Sequence, residues 1–216
     1  MELKHILLGV GFALIWASAF PSAKMAIQFC PPFLFLFLRF SSAGLFSIFL
    51  GVYLGQSLKF DRKSLLWIVT FGLIQNGLYL GLIFLALTKI DANVSVIIAS
   101  ILPLTVAFFS WVFFKAKISF LGLFGLVVGL AGVLLIMLQR VEKEIELLGI
   151  TLCLLGLLAT TFSTLIITKI KINKNNILIV VGLQMLAGSI FLLPLSYFFE
   201  NWIISFNLTF LFTFIY

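Results

Sequence analysis

Seven stretches of about twenty predominantly apolar residues, separated by short polar connections, leave this chain few ways to fold. They cover residues 6–27, 33–55, 65–87, 92–114, 118–138, 147–168 and 177–199. Each is long enough to cross the roughly 30 Å hydrocarbon core of a bilayer as a helix. An eighth stretch, 202–216, is apolar and aromatic and stops short of a full crossing. The connections are a few residues long, so consecutive helices are expected to pack as antiparallel neighbours. Charged residues make up only 10% of the chain, against about 25% in an average soluble domain, and hydrophobic residues 63%. The expectation is an all-α transmembrane bundle, with lipid as its solvent and no nucleic-acid partner. The net charge of +7 does not alter this, because the basic residues sit in the short loops. Cys30 and Cys153 give neither a disulfide framework nor metal spacing, and no cofactor is expected. His5 precedes the first span and reads as a solvated residue.

Orientation follows from the loop lysines and arginines. One side carries nine of them: Lys4, Lys59, Arg62, Lys63, Lys115, Lys117, Lys169, Lys171 and Lys174. The other carries three, Lys89, Arg140 and Lys143, among several glutamates. The N-terminus is therefore expected in the cytoplasm. Ala17-Ser18-Ala19 has the look of a signal-peptide cleavage site, but the apolar run continues to Ile27, so an uncleaved first helix is expected. Trp67, Trp111, Tyr197 and Trp202 fall near predicted span ends, where amphipathic rings prefer to sit. Trp16 lies near mid-span.

Few polar residues lie at bilayer depth, and they are the candidate site. Pro103 falls inside the fourth span and would free the carbonyl of Ala99, with Ser100, Asn93 and Thr105 near enough to help satisfy it. Irregular backbone at that depth is tolerated against a cavity rather than against lipid, so this kink is expected to face one. Arg39 lies about two turns inside the second span, where a charge costs several kcal/mol unless it snorkels, pairs or faces water. It is either a structural arginine bonded to freed carbonyls or an anchor for an anionic or zwitterionic substrate. Lys24, one turn from the end of the first span, can snorkel or bind substrate. Gln75 and Asn76 point in different directions from mid-span, so one can join helices while the other faces the cavity; Gln184 is similarly ambiguous. The expected substrate-binding set is Trp16, Lys24, Arg39, Gln75, Asn76, Ser100 and Pro103.

Gly122, Gly125, Gly129 and Gly132 give the fifth span a small-residue face, read as packing within the protomer, with a homodimer seam as the alternative. No Asp or Glu lies within the seven spans, which argues against a proton-coupled exporter of cations. No Ser–His–Asp, Cys–His or paired-carboxylate constellation exists, so an enzyme is not expected.

Short matches recur in the two halves. Leu7-Leu8-Gly9 returns as Leu147-Leu148-Gly149, and Ala43-Gly44 as Ala187-Gly188. Five spans separate the copies, and an odd number inverts the second, as in inverted-repeat transporters. Together with IWASAFPSAKMAI (15–27), LRFSSA (38–43), LALTKIDANVSVIIASILPL (85–104), GLVVGLAGVLLI (125–136) and LQMLAG (183–188), the chain resembles the EamA domain of the drug/metabolite transporter superfamily. That resemblance implies two inverted five-helix repeats and secondary transport of small metabolites across a bacterial inner membrane. It divides the chain into a first repeat (1–138), a periplasmic loop (139–146) and an incomplete second repeat (147–216). Ala116 stands where the family commonly has a glutamate. The family pattern expects two and a half further helices after Tyr216, so the chain reads as truncated, with its last half-helix loosely held. The functional alternatives are a non-transporting fragment and a structural membrane subunit that needs a partner chain.

Overall fold

The computed structural model describes residues 3–116, 120–140, 144–168, 170 and 175–216. Lys117, Lys143, Lys169, Lys171 and Lys174 of the loop charges lie outside them. The described residues form helices and no strands. In chain order they are α1 (Leu3–Ala26), α2 (Pro32–Tyr53), α3 (Arg62–Gly72), a π-helical segment (Leu73–Tyr79), α4 (Leu80–Leu87), α5 (Ala92–Ala99) and α6 (Leu102–Phe114). After these come α7 (Phe120–Arg140), α8 (Glu144–Ile167), α9 (Ile177–Phe199) and α10 (Leu208–Ile215). Six helices among the described residues are long and apolar enough to cross a membrane: Leu7–Ala26, Pro32–Tyr53, Arg62–Leu87, Ala92–Phe114, Leu147–Ile167 and Ile177–Phe199. The expected span 118–138 coincides with α7, which is not among those six.

The strongest association in the bundle is between α2 and α9, which run antiparallel along their whole lengths. At the crossing, a Cβ on Gly44 would lie 3.1 Å from the Gly182 carbonyl oxygen, and one on Gly182 would lie 2.8 Å from that of Gly44. Only hydrogen at both positions lets the two backbones come this close. The helix ends are joined reciprocally. Glu200, just past the end of α9, accepts hydrogen bonds from the first-turn amides of α2: Phe33 N to Oε1 and Leu34 N to Oε2, both 2.8 Å. Gln56, just past the end of α2, accepts from those of α9: Leu178 N at 2.9 Å and Ile179 N at 3.4 Å. Each helix thus supplies acceptors for donors that its partner cannot satisfy internally. Glu200 also places a negative charge at the positive end of the α2 dipole.

The third span packs beside α9 and is not a plain α-helix. Its middle turns are π-helical, a rarity frequent at functional sites. Just before the π segment, a Cβ on Gly72 would come within 2.3 Å of the Gln184 carbonyl oxygen. The fourth span is two helices. Its backbone leaves α-helical geometry after Ala99, and Pro103 is the second residue of α6, where a missing N–H is harmless.

The main core collects α1, α2, α4, α5 and α8 around Phe35, Phe84, Leu87, Ile98, Ile150 and Cys153. The last short helix belongs to it, contrary to the loose attachment expected from the sequence. Phe210 is 4% exposed, and the rings of Phe210 and Phe214 meet Phe35 edge-on at 6.1 and 5.9 Å.

Two substitutions test this frame in thermal unfolding of detergent-solubilised protein. Gly72→Ala should cost about 1–3 kcal/mol through backbone overlap with Gln184, whereas Gly9→Ala, with open space around it, should be neutral. Equal melting of the two would discount the close approach. Glu200→Ala should destabilise by on the order of 2 kcal/mol, and Glu200→Gln, which keeps one acceptor oxygen, by less.

Candidate functional site

A cavity of ≈610 Å³ opens between α1, α2, the third span, α9 and α10. The volume lies in the roughly 300–1,000 Å³ range of small-molecule sites. From α1 come Trp16, Phe20 and Ala23; Trp16 is half-buried and meets Phe20 edge-on at 5.5 Å. The helix α2 adds Leu36, Arg39, Phe40 and Phe46. Gln75 and Tyr79 reach the wall from the π segment, and Ile83 and Phe84 from α4. Met185 of α9 and Phe214 of α10 complete it.

Arg39 is the one formally charged residue on this wall. It is half-buried, and its guanidinium makes no hydrogen bond or salt bridge with a described residue; its electrostatic neighbour is the phenol of Tyr216. The planar guanidinium therefore has donor capacity to spare inside an aromatic cavity. Gln75 does two things. It lines the cavity, and its Oε1 receives the hydroxyl of Thr160 at 3.0 Å and lies within hydrogen-bonding distance of the Ser163 hydroxyl, which ties the π segment to α8.

The other expected site residues are elsewhere. Lys24 Nζ donates to the carbonyls of Leu87, at 2.6 Å, and Ile90, at 2.8 Å, and so closes the C-terminal end of α4. Asn76 packs on α9, its Cβ so close to Gly188 that a side chain there would overlap it. Ser100 and Pro103 are exposed and do not line the cavity. Around the break in the fourth span, Ser100 Oγ donates to Ile97 O at 2.7 Å, while Thr105 Oγ1 bonds Leu102 O at 3.0 Å and Thr161 Oγ1 of α8 at 2.8 Å. Gln184 is buried on α9, and its Nε2 finds no partner among the described residues.

Apart from Trp16, the aromatic residues of the wall were not anticipated from sequence, and for most no signal marks them, since a phenylalanine in an apolar run looks like any other. Tyr79 is the exception. It lies one helical turn beyond Gln75, well inside a span, and so on nearly the same face. Among the described residues no three His, Cys, Asp or Glu side chains are grouped to hold a metal.

Comparison with known proteins agrees with the helical membrane architecture. Residues 3–138 match the profile described as "EamA-like transporter family". The chain is 25% identical over 188 residues to "Uncharacterized transporter YvbV" of Bacillus subtilis (strain 168), covering 87% of this chain and 61% of that one. It is 25% identical over 198 residues to "Uncharacterized transporter in trpA 3'region" of Buchnera aphidicola subsp. Schlechtendalia chinensis, covering 91% and 65%. An "Uncharacterized transporter" of Archaeoglobus fulgidus is 26% identical over 180 residues, covering 83% and 62%. The chain thus spans less than two thirds of the length of these curated relatives. No solved structure matches it significantly.

The Lys24 geometry gives a test that separates structure from ligand contact. Lys24→Met should lower the melting temperature, as expected for about 1–3 kcal/mol from two uncapped carbonyls. Ligand affinity at the cavity should not change; a selective loss of affinity with stability intact would return Lys24 to the binding set.

Proposed function

The chain belongs to the EamA-like transporter family, and on that premise we propose that it is a secondary transporter that carries small metabolites through the Arg39 cavity. The observation that carries this reading is a half-buried guanidinium inside a membrane-span helix, in an aromatic cavity whose lining holds no acidic side chain among the described residues. Such a charge costs about 3 kcal/mol to insert, and a structural arginine would recover that by bonding to carbonyls or a carboxylate. Among the described residues Arg39 does neither, so in this reading the anion it awaits is the cargo. Trp16 packs the apolar part of that cargo and Gln75 adds a hydrogen bond.

Alternating access in this reading is a rocking of two inverted repeats about the cavity. The α2–α9 pair supports a two-fold relation in the membrane plane. One sequence interval separates Gln56 from Glu200, Leu34 from Leu178 and Gly44 from Gly188. The first two of these pairings relate residues that do the same job, the acceptor past one helix and the donor at the start of the other. The lysine-rich loops favour a cytoplasmic N-terminus in a bacterial inner membrane.

Arg39→Ala should abolish transport while membrane levels stay at those of the unaltered protein, measured by cargo flux in vesicles alongside quantitation of the membrane-inserted chain. Unchanged flux would remove Arg39 from the site.

A further inference from the structure

We propose that the cavity takes a compact monoanion with an aromatic or branched apolar body, and that it discriminates against the same body bearing an ammonium group. This rests on the reading of Arg39 as the anion anchor and narrows it by asking which charges the remaining wall can accept. An ammonium brings three donors and needs acceptors. The cavity lining contains no Asp or Glu. Its hydroxyl at Ser42 donates its proton to the carbonyls of Leu38, at 2.8 Å, and Arg39, at 3.0 Å. Its amide oxygen at Gln75 already faces the hydroxyls of Thr160 and Ser163. The lining thus offers an ammonium no carboxylate to pair with, whereas the Arg39 donors are unspent among the described residues.

An ammonium placed here would lie near a positive guanidinium with no carboxylate to pair with. A buried polar group left unpaired is what a site of this kind rejects most strongly. The rest of the surface sets the body of the ligand. The rings of Trp16, Phe20, Phe40, Phe84 and Phe214 offer flat apolar faces, and ≈610 Å³ accommodates one ring with a short acid chain. A second negative charge has no second cation to meet on this wall, which confines the ligand to one.

The test is calorimetric titration of the full chain in detergent at neutral pH with four probes that share one ring: 3-phenylpropanoate, L-phenylalanine, 3-phenylpropan-1-amine and phenylsuccinate. The expected result is tightest binding of 3-phenylpropanoate, by about tenfold or more over phenylalanine and phenylsuccinate, and none for the amine. Arg39→Gln should weaken 3-phenylpropanoate by about tenfold or more, and Arg39→Lys by less, with monodisperse elution as the check that both variants fold. Phenylalanine or phenylsuccinate binding as tightly as 3-phenylpropanoate, and still through Arg39, would overturn the monoanion assignment and leave the anion anchor standing. No binding of 3-phenylpropanoate, or binding indifferent to Arg39→Gln, would overturn both.

Discussion

The closeness of α2 and α9 is the constraint on which the rest of the structure depends. Two helices in lipid gain nothing from excluding water, so they associate through van der Waals contact and through polar groups that have nowhere else to go. Gly44 and Gly182 supply the first by letting backbone meet backbone. Glu200 and Gln56 supply the second, each satisfying two amides at the start of the other helix. The contact is therefore fixed at its middle and at both ends, and neither helix can slide without uncovering donors in a poor solvent. The same closure buries Cys30 in the α1–α2 connection, where desolvation, assisted by the Glu200 charge, pushes its thiol up to about 12.

That fixed pair determines what the cavity can be. With one face of α2 committed to α9, the face that carries Leu36, Arg39, Phe40 and Phe46 turns toward α1 and the third span. The third span is in turn held to α9 by Gly72 and to α8 by Gln75, so the π segment sits between two fixed neighbours. The cavity is assembled at the meeting of these elements rather than at the kinked fourth span.

The sequence revealed charge at depth better than it revealed irregular backbone. Arg39, Trp16 and Gln75 were legible because a charge, an indole or an amide within an apolar run is costly and so conspicuous. Pro103 was conspicuous for the same reason, yet it marks a helix start, because a proline signals a missing donor without saying whether the chain bends or begins again there. Lys24 was legible as a cation near a span end, but its partners, the carbonyls of Leu87 and Ile90, come from a turn far along the chain that only the packing brings near. The π segment left no mark that periodicity reads. Gln75 and Asn76 divided as two adjacent amides on a helix should, one toward the cavity and one against α9.

In the proposed reading, what makes Arg39 expensive also makes it selective. In water a guanidinium and a carboxylate attract by about 1 kcal/mol at 4 Å, and the attraction grows several-fold as the effective dielectric falls. A cavity walled by aromatic rings lowers that dielectric for every charge that enters. One opposite charge beside Arg39 gains by it, while a like charge is repelled by the guanidinium and a second negative one beyond its reach bears the desolvation with no compensation. A single cation in an apolar chamber thus counts charge as well as recognising its sign. The aromatic wall that sets this threshold is the part of the site that the sequence conceals most completely, among the chain's 26 phenylalanines.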